Sequence, residues 1–144
     1  MVEEYLTADD FAGLSRDGLA EACLACSARF SPMFAAFATR SGPRDYDDLV
    51  RDLWACAGRE VSAREAEEFE RRMEAFPEVG CDDSYLLDYY AMSVMGIPFE
   101  ALHVLAGGGV ERALACSELA LELLGEFREE LDDENELWDA ERQE

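Results

Sequence analysis

Residues 45–57, with the sequence DYDDLVRDLWACA, decide the fold class. Their apolar side chains recur at steps of three and four residues, at Tyr46, Leu49, Val50, Leu53, Trp54 and Ala57. This spacing places them along one stripe of an α-helix, because the helix repeats about every 3.6 residues. The stretch therefore predicts an amphipathic helix whose apolar stripe faces a core.

The same helical spacing continues through most of the chain. No two-residue alternation of the kind that indicates strands extends beyond about four positions. Helix starts are predicted at Ser15, at Ser31 with Pro32 in the first helical position, and at Ser62, which forms a capping box with Glu65. These signals predict an all-α bundle of six to eight helices.

Glycine and proline indicate where we expect helices to end. Gly96 is expected to end a central, largely apolar helix, and Pro98 to start a short one after it. The glycines at 107–109 are expected to break the chain before a long final helix, which runs from Val110 to about Leu131.

Residues 126–144 differ in composition from the rest of the chain. They hold ten acidic and two basic side chains, which gives this segment a net charge of -8. We therefore predict a single-domain helical bundle over residues 1–125, followed by an acidic C-terminal extension over residues 126–144 that prolongs the last helix or forms a tail.

The overall charge restricts the classes of partner. The chain carries 34 acidic side chains against 12 arginines, a formal charge of -22, while 49% of its residues are hydrophobic. Such a chain has enough apolar residues to fold, and its charge disfavours nucleic acid and anionic lipid. Since we find neither a signal peptide nor a run of about 20 apolar residues, we expect a cytoplasmic protein that binds no membrane.

The acids of the C-terminal extension are the predicted partner-binding site. Negative charge at the C-terminal end of a helix opposes the helix dipole, so helix stability does not explain these acids. We predict that they bind a basic protein, with a tryptophan among them as an apolar anchor. The predicted binding residues are Glu129, Glu130, Asp132, Asp133, Glu134, Glu136 and Trp138.

We find no catalytic motif, and we therefore predict a non-enzymatic binding module. One concrete form is an immunity-type inhibitor or antitoxin that covers the basic cleft of a toxin or nuclease. Two alternatives stay open: an acidic homo-oligomeric scaffold, and a small helical enzyme or ligand-binding protein. The ligand would then occupy a pocket lined by Tyr85, Tyr89, Met92 and His103.

The cysteines predict neither a metal site nor a cofactor. Cys23 and Cys26 form a C-x-x-C pair inside a predicted helix, where we expect reduced thiols packed in the core. A tetrahedral zinc site would need two further ligands, and no second paired spacing supplies them. The remaining candidates would be Cys56, Cys81, Cys116 and His103.

Several short motifs resemble those of the YjaG-like family, bacterial proteins that contain a domain of unknown function. The resemblance covers about residues 19–128 and implies an α-helical bundle, with no established catalytic residue or cofactor. It rests on Ala22-Cys23, Ala28-Arg29, Pro32, Phe34, Phe37, Ser41-Gly42, residues 49–54, Phe69, Pro77, Leu87-Asp88 and Ala91-Met92.

Overall fold

The computed structural model describes residues 13–38, 40–42, 44–79 and 86–142, with the backbone alone at 86–88 and 127–142. Within these ranges every regular element is an α-helix, which confirms the all-α prediction. The helices are α1 (Arg16–Arg29), α2 (Ser31–Phe37), α3 (Asp45–Trp54), α4 (Ala63–Glu74), α5 (Leu86–Leu105) and α6 (Val110–Arg142).

Helix α3 packs as predicted along its main apolar stripe. In α3, Tyr46, Leu49, Val50 and Leu53 are buried. The Tyr46 hydroxyl donates a hydrogen bond of 2.7 Å to the Ser27 carbonyl oxygen and so ties α3 to α1. Trp54 is exposed, contrary to prediction, because it lies at the edge of the stripe and at the C-terminal end of the helix.

A helix begins at each of the three predicted starts, but the cap predicted for the second of them is wrong. The Ser15 hydroxyl accepts from the Gly18 amide at 3.2 Å, and the capping box at the start of α4 forms as predicted. Ser31 is the first residue of α2 rather than its cap, which is Phe30. The Ser31 hydroxyl instead donates to a carboxylate oxygen of Asp47, at the first turn of α3.

Helix α5 continues through Gly96 and Pro98, so the predicted break there is wrong. Gly96 serves a close approach between helices, since a Cβ atom at this position would lie 2.6 Å from the Leu119 Cδ2 of α6. Pro98 is buried within the helix. Helix α5 contacts α1, α2, α4 and α6, which confirms its central position.

The predicted break at 107–109 is confirmed. The Gly108 amide donates to the His103 carbonyl oxygen at 2.7 Å, and a Cβ atom at Gly108 would lie 2.6 Å from the same oxygen. Two further donors, the Val61 amide and an Arg16 guanidinium nitrogen, reach the Leu105 carbonyl at 3.1 and 3.2 Å. The C-terminal end of α5 is therefore fixed by contacts with distant parts of the chain.

The final helix is longer than predicted. Its 33 residues run to Arg142, which corresponds to about 50 Å at 1.5 Å per residue. The predicted total of six to eight helices and the division at residue 125 stay predictions, because residues 1–12 and 80–85 lie outside the described part. None of the helices that the structure describes is both long and apolar enough to cross a bilayer.

One carboxylate is buried at the junction between α2 and α3. Glu78 is 1% exposed, and its two oxygens accept from the Arg40 amide at 3.1 Å, the Ser41 amide at 2.7 Å and the Ser41 hydroxyl at 2.6 Å. Burial on its own raises the pKa of Glu78, but these hydrogen bonds together bring the pKa below its ordinary value. The ionised carboxylate of Glu78 therefore holds the segment between α2 and α3 in place.

Candidate functional site

The predicted partner-binding acids lie within α6, and their side chains are outside the described set. Glu129 and Glu134 precede the end of the helix at Arg142 by more than two turns. The dipole acts mainly over the last turn of a helix, so the dipole argument for these acids is wrong. Their role in binding stays a prediction, as does that of Trp138.

The described part of the same helix carries a further set of exposed acids. We call these four residues the acidic stripe: Glu111, Glu118, Glu122 and Glu126. They recur at steps of four or seven residues, which places them along one side of the helix, opposite the buried Ala113, Cys116, Ala120 and Leu123. The same spacing continues along the sequence through positions 129, 133 and 136.

No arginine among the described residues forms an ion pair with the acidic stripe. Arg112, on the same helix, instead pairs with Glu100 of α5 at 3.3 Å. Like charges spaced by four residues on a helix repel each other, at a typical cost of a few tenths of a kcal/mol per pair. The stripe therefore carries charge that the described fold does not neutralise.

Several acids elsewhere in the bundle have arginine partners. Glu65 receives two hydrogen bonds from Arg59, at 2.7 and 3.0 Å, and the bond from Arg59 is the main cause that lowers its pKa to about 2. Arg72 reaches Asp52 at 2.6 Å and likewise lowers the pKa of that carboxyl group. Three further ion pairs are Arg51–Asp48, Arg64–Glu68 and Arg16–Glu60.

The spacing of the acids along the sequence is a signal for the acidic stripe. The steps of three or four residues from Glu118 through Glu122 and Glu126 to Glu129 cross the boundary that we placed at residue 126. By treating residues 126–144 as a separate segment, the sequence prediction omitted the acids upstream. The pairing of the other acids depends on tertiary contacts, such as Arg72 with Asp52, which no local spacing indicates.

Two residues of the alternative pocket are exposed in the described structure, and a third is not described. Tyr85 lies outside the described residues, while Tyr89 and Met92 are exposed by 48% and 39%. His103 packs edge-on against the Phe99 ring, and its Nε2 atom lies 3.4 Å from a Glu70 carboxylate oxygen without a well-formed hydrogen bond. The acid beside His103 is thus Glu70 of α4.

A cavity of about 620 Å³ lies between α1 and α6. Its wall is mostly apolar and includes Ala22, Ala25 and Met33 from the N-terminal part, with Ala120 and Leu124 from α6. Cys23, Cys26, Cys116 and Arg29 also line it.

The cavity brings together three thiols from two helices. Cys23 and Cys116 are buried, as predicted for Cys23, whereas Cys26 is half-buried. A hydrogen bond with Cys116 lowers the pKa of Cys26, burial opposes this effect, and the Arg29 charge adds to the lowering. Hydrogen bonds with Cys23 and Cys26, together with burial, raise the pKa of Cys116, so Cys116 stays protonated.

Among the described residues, no group of three or more His, Cys, Asp or Glu side chains is arranged to hold a metal ion. Cys81 lies outside these residues. The proximity of Cys116 to the C-x-x-C pair was not predicted, because it depends on how α6 packs against α1.

Comparisons of the chain with protein-family models, curated proteins and solved structures gave no match. The resemblance to the YjaG-like family therefore stays a prediction.

Proposed function

We propose that this protein is a non-enzymatic module that binds a basic partner protein through the acidic stripe of α6. The observation that carries the proposal is the exposure of Glu118, Glu122 and Glu126 on one side of one helix, without an arginine partner among the described residues. Of the predicted binding acids, Glu129, Asp133 and Glu136 continue the spacing of the stripe along the sequence.

The acidic stripe suits cationic side chains at regular intervals. Glu118, Glu122 and Glu126 are spaced by one helical turn each, so their Cβ atoms lie about 6 Å from those of their neighbours. Arginines of a partner would pair with these carboxylates and relieve the repulsion among them. This relief occurs only in the complex, so it contributes directly to the free energy of binding.

Charge complementarity of this kind mainly affects association. An acidic surface attracts a basic partner before contact and raises the association rate, in a manner that salt weakens. An apolar anchor then slows dissociation, and Trp138 is the residue that we propose for this role. An immunity-type inhibitor or antitoxin would use the stripe to occupy the sites where a nuclease holds phosphates.

The thiols support a cytoplasmic location. Cys23, Cys26, Cys56 and Cys116 are free in the structure. Reduced cysteines persist in the cytoplasm, whereas secreted proteins commonly pair them as disulfides. We therefore propose that the module meets its partner in the cytoplasm.

A pair of matched triple variants tests the proposal. Glu118→Gln/Glu122→Gln/Glu126→Gln removes three charges from the stripe, and Glu21→Gln/Glu67→Gln/Glu74→Gln removes three exposed charges from α1 and α4. Affinity for a deca-arginine peptide is measured by titration calorimetry at low and physiological salt. With about 0.2–1 kcal/mol for each exposed pair, we expect the stripe variant to lose affinity on the order of tenfold at low salt.

The control variant is expected to lose less than about twofold, because both variants have the same net charge and only one lacks the stripe. Equal losses of affinity in both variants would show that binding of the peptide depends on net charge alone, and would overturn the proposal. A partner isolated from the native cell would be tested with the same pair of variants.

A further inference from the structure

The cavity between α1 and α6 is kept open by small side chains on both helices. Ala22 and Ala25 on one side face Ala113 and Ala120 on the other, where larger aliphatic residues would fill the space. The space is partly open to solvent, so its apolar wall forgoes the free energy that burial would provide. The volume of about 620 Å³ lies within the range of about 300–1,000 Å³ that is typical of ligand pockets.

Among the described residues of the cavity wall, Arg29 is the one charged side chain. Arg29 is exposed in the last turn of α1 and forms no ion pair with a carboxylate of the described residues. Its location at a helix C-terminus is favourable for a cation and explains the charge in part. The interaction of Arg29 with the end of α1 does not explain the apolar cavity beside this residue.

The other described residues of the wall are uncharged. Ser117 and the thiols of Cys23, Cys26 and Cys116 are its other polar groups, and the remaining residues are apolar. Such a wall accepts an aliphatic chain, while an arginine at its edge offers a planar pair of donors that matches a carboxylate. The net charge of -22 repels anions, but at physiological salt this repulsion is screened beyond about 8 Å.

We propose that the cavity binds a single-chain aliphatic carboxylate, with the chain between α1 and α6 and the carboxylate paired with Arg29. The acidic stripe lies on another side of α6, so this site is independent of the proposed binding of a basic protein. The half-buried thiol of Cys26 lies in the wall and reports on occupancy.

The test uses dodecanoate as the probe, below its micellar concentration, with dodecanol as the uncharged probe of the same chain length. Calorimetric titration of the full chain is expected to show saturable binding of dodecanoate that is at least about tenfold tighter than binding of dodecanol. Arg29→Gln should weaken dodecanoate binding about tenfold and leave dodecanol unchanged. Arg64→Gln, a change in an exposed arginine of α4, should alter neither.

Two further measurements locate the probe. Dodecanoate should slow the alkylation of Cys26 by iodoacetamide, as read by peptide mass spectrometry. Ala22→Leu, which enlarges a half-buried wall residue, should weaken both probes. Circular dichroism of each variant shows whether the helices are retained, and Arg29→Gln, at an exposed position, keeps the test decisive if Ala22→Leu does not fold.

Three results would overturn the proposal. Absence of saturable dodecanoate binding would show that the cavity takes no such ligand. Equal affinity for dodecanoate and dodecanol, insensitive to Arg29→Gln, would show that Arg29 recognises no carboxylate. A concentration-dependent dimer in sedimentation, with Cys26 protected in the dimer and dodecanoate excluded, would show that a second copy of the chain covers the cavity.

Discussion

Two regions of this molecule use their negative charge in different ways. In residues 44–79, which we call the paired segment, several carboxylates meet specific donors: Asp52 meets Arg72, Glu65 meets Arg59, and Glu78 meets the backbone at 40–41. The acidic stripe of α6 is exposed and has no such partners among the described residues.

The carboxylates of the paired segment stabilise the fold, whereas those of the acidic stripe remain accessible to other molecules. A carboxylate with hydrogen-bond donors is favoured in the folded state, and its pKa falls, as for Asp52, Glu65 and Glu78. Exposed acids that have only one another as neighbours repel each other and weaken the helix slightly. Substitutions in the two regions should therefore have opposite effects on stability.

The largest expected effect is at Glu78. Glu78→Ala leaves two backbone amides of the segment at 40–41 without their acceptor, and we expect a loss on the order of 3 kcal/mol in the free energy of unfolding. Urea denaturation measures it. Glu74→Ala, at an exposed position of α4, is the control and should change the free energy of unfolding by less than about 0.5 kcal/mol. Similar values for the two variants would contradict the role given to Glu78.

Acidification should destabilise the protein through the paired segment. The pKa values of Asp52, Glu65 and Glu78 are lower in the folded state than in the unfolded chain. Their contribution is therefore present above the unfolded pKa, near 4.5 for glutamate, and is lost as the pH falls through the folded pKa, about 2 for Glu65. The urea concentration at the midpoint of unfolding should therefore decrease as the pH is lowered from about 4.5 to about 2.

The glutamine variant identifies the source of this pH effect. Glu78→Gln does not titrate, so the fall in its urea midpoint over the same pH range should be smaller. A midpoint of the wild type that stays constant between pH 4.5 and 2 would show that the paired carboxylates do not stabilise the fold.

A smaller effect is expected for the pair between α3 and α4. Both side chains are partly exposed, so solvent weakens the interaction between Asp52 and Arg72. We expect a coupling of about 0.5–1 kcal/mol from a double-mutant cycle with Asp52→Asn and Arg72→Gln, measured by urea denaturation. Strictly additive losses would mean that the pair contributes nothing to the paired segment.

The smallest effect is expected in the acidic stripe, and it has the opposite sign. Glu118→Gln/Glu122→Gln/Glu126→Gln removes the repulsion within the pairs 118–122 and 122–126, each spaced by four residues. The free energy of unfolding should therefore rise by a few tenths of a kcal/mol. Thermal and urea denaturation measure this change. A loss of about 1 kcal/mol or more would show that the fold uses these acids after all.

Local patterns of the sequence predicted the elements that local forces determine. The stripe of α3 and the capping box of Ser62 and Glu65 appear in the structure because each depends on residues within one or two helical turns. The predicted helix end at Gly96 is wrong because the role of this glycine depends on Leu119, which belongs to another helix. Local spacing cannot distinguish a glycine that ends a helix from one that admits a neighbouring helix.

The candidate sites show the same division. The spacing of Glu118, Glu122 and Glu126 is visible in the sequence, but the absence of arginine partners among the described residues is seen only in the structure. The cavity, with Arg29 and Cys116 in one wall, results from the packing of α1 against α6 and has no local signature.

The most direct test of the central claim maps where a cation binds. The ¹⁵N-labelled protein is titrated with deca-arginine at physiological salt, and the shift of each backbone amide is followed by nuclear magnetic resonance. We predict that the largest shifts occur in α6 around residues 111–126, with small shifts in the paired segment. Shifts spread evenly over the acidic surface, or concentrated in α3 and α4, would contradict the claim that the stripe is the charge left free for a partner.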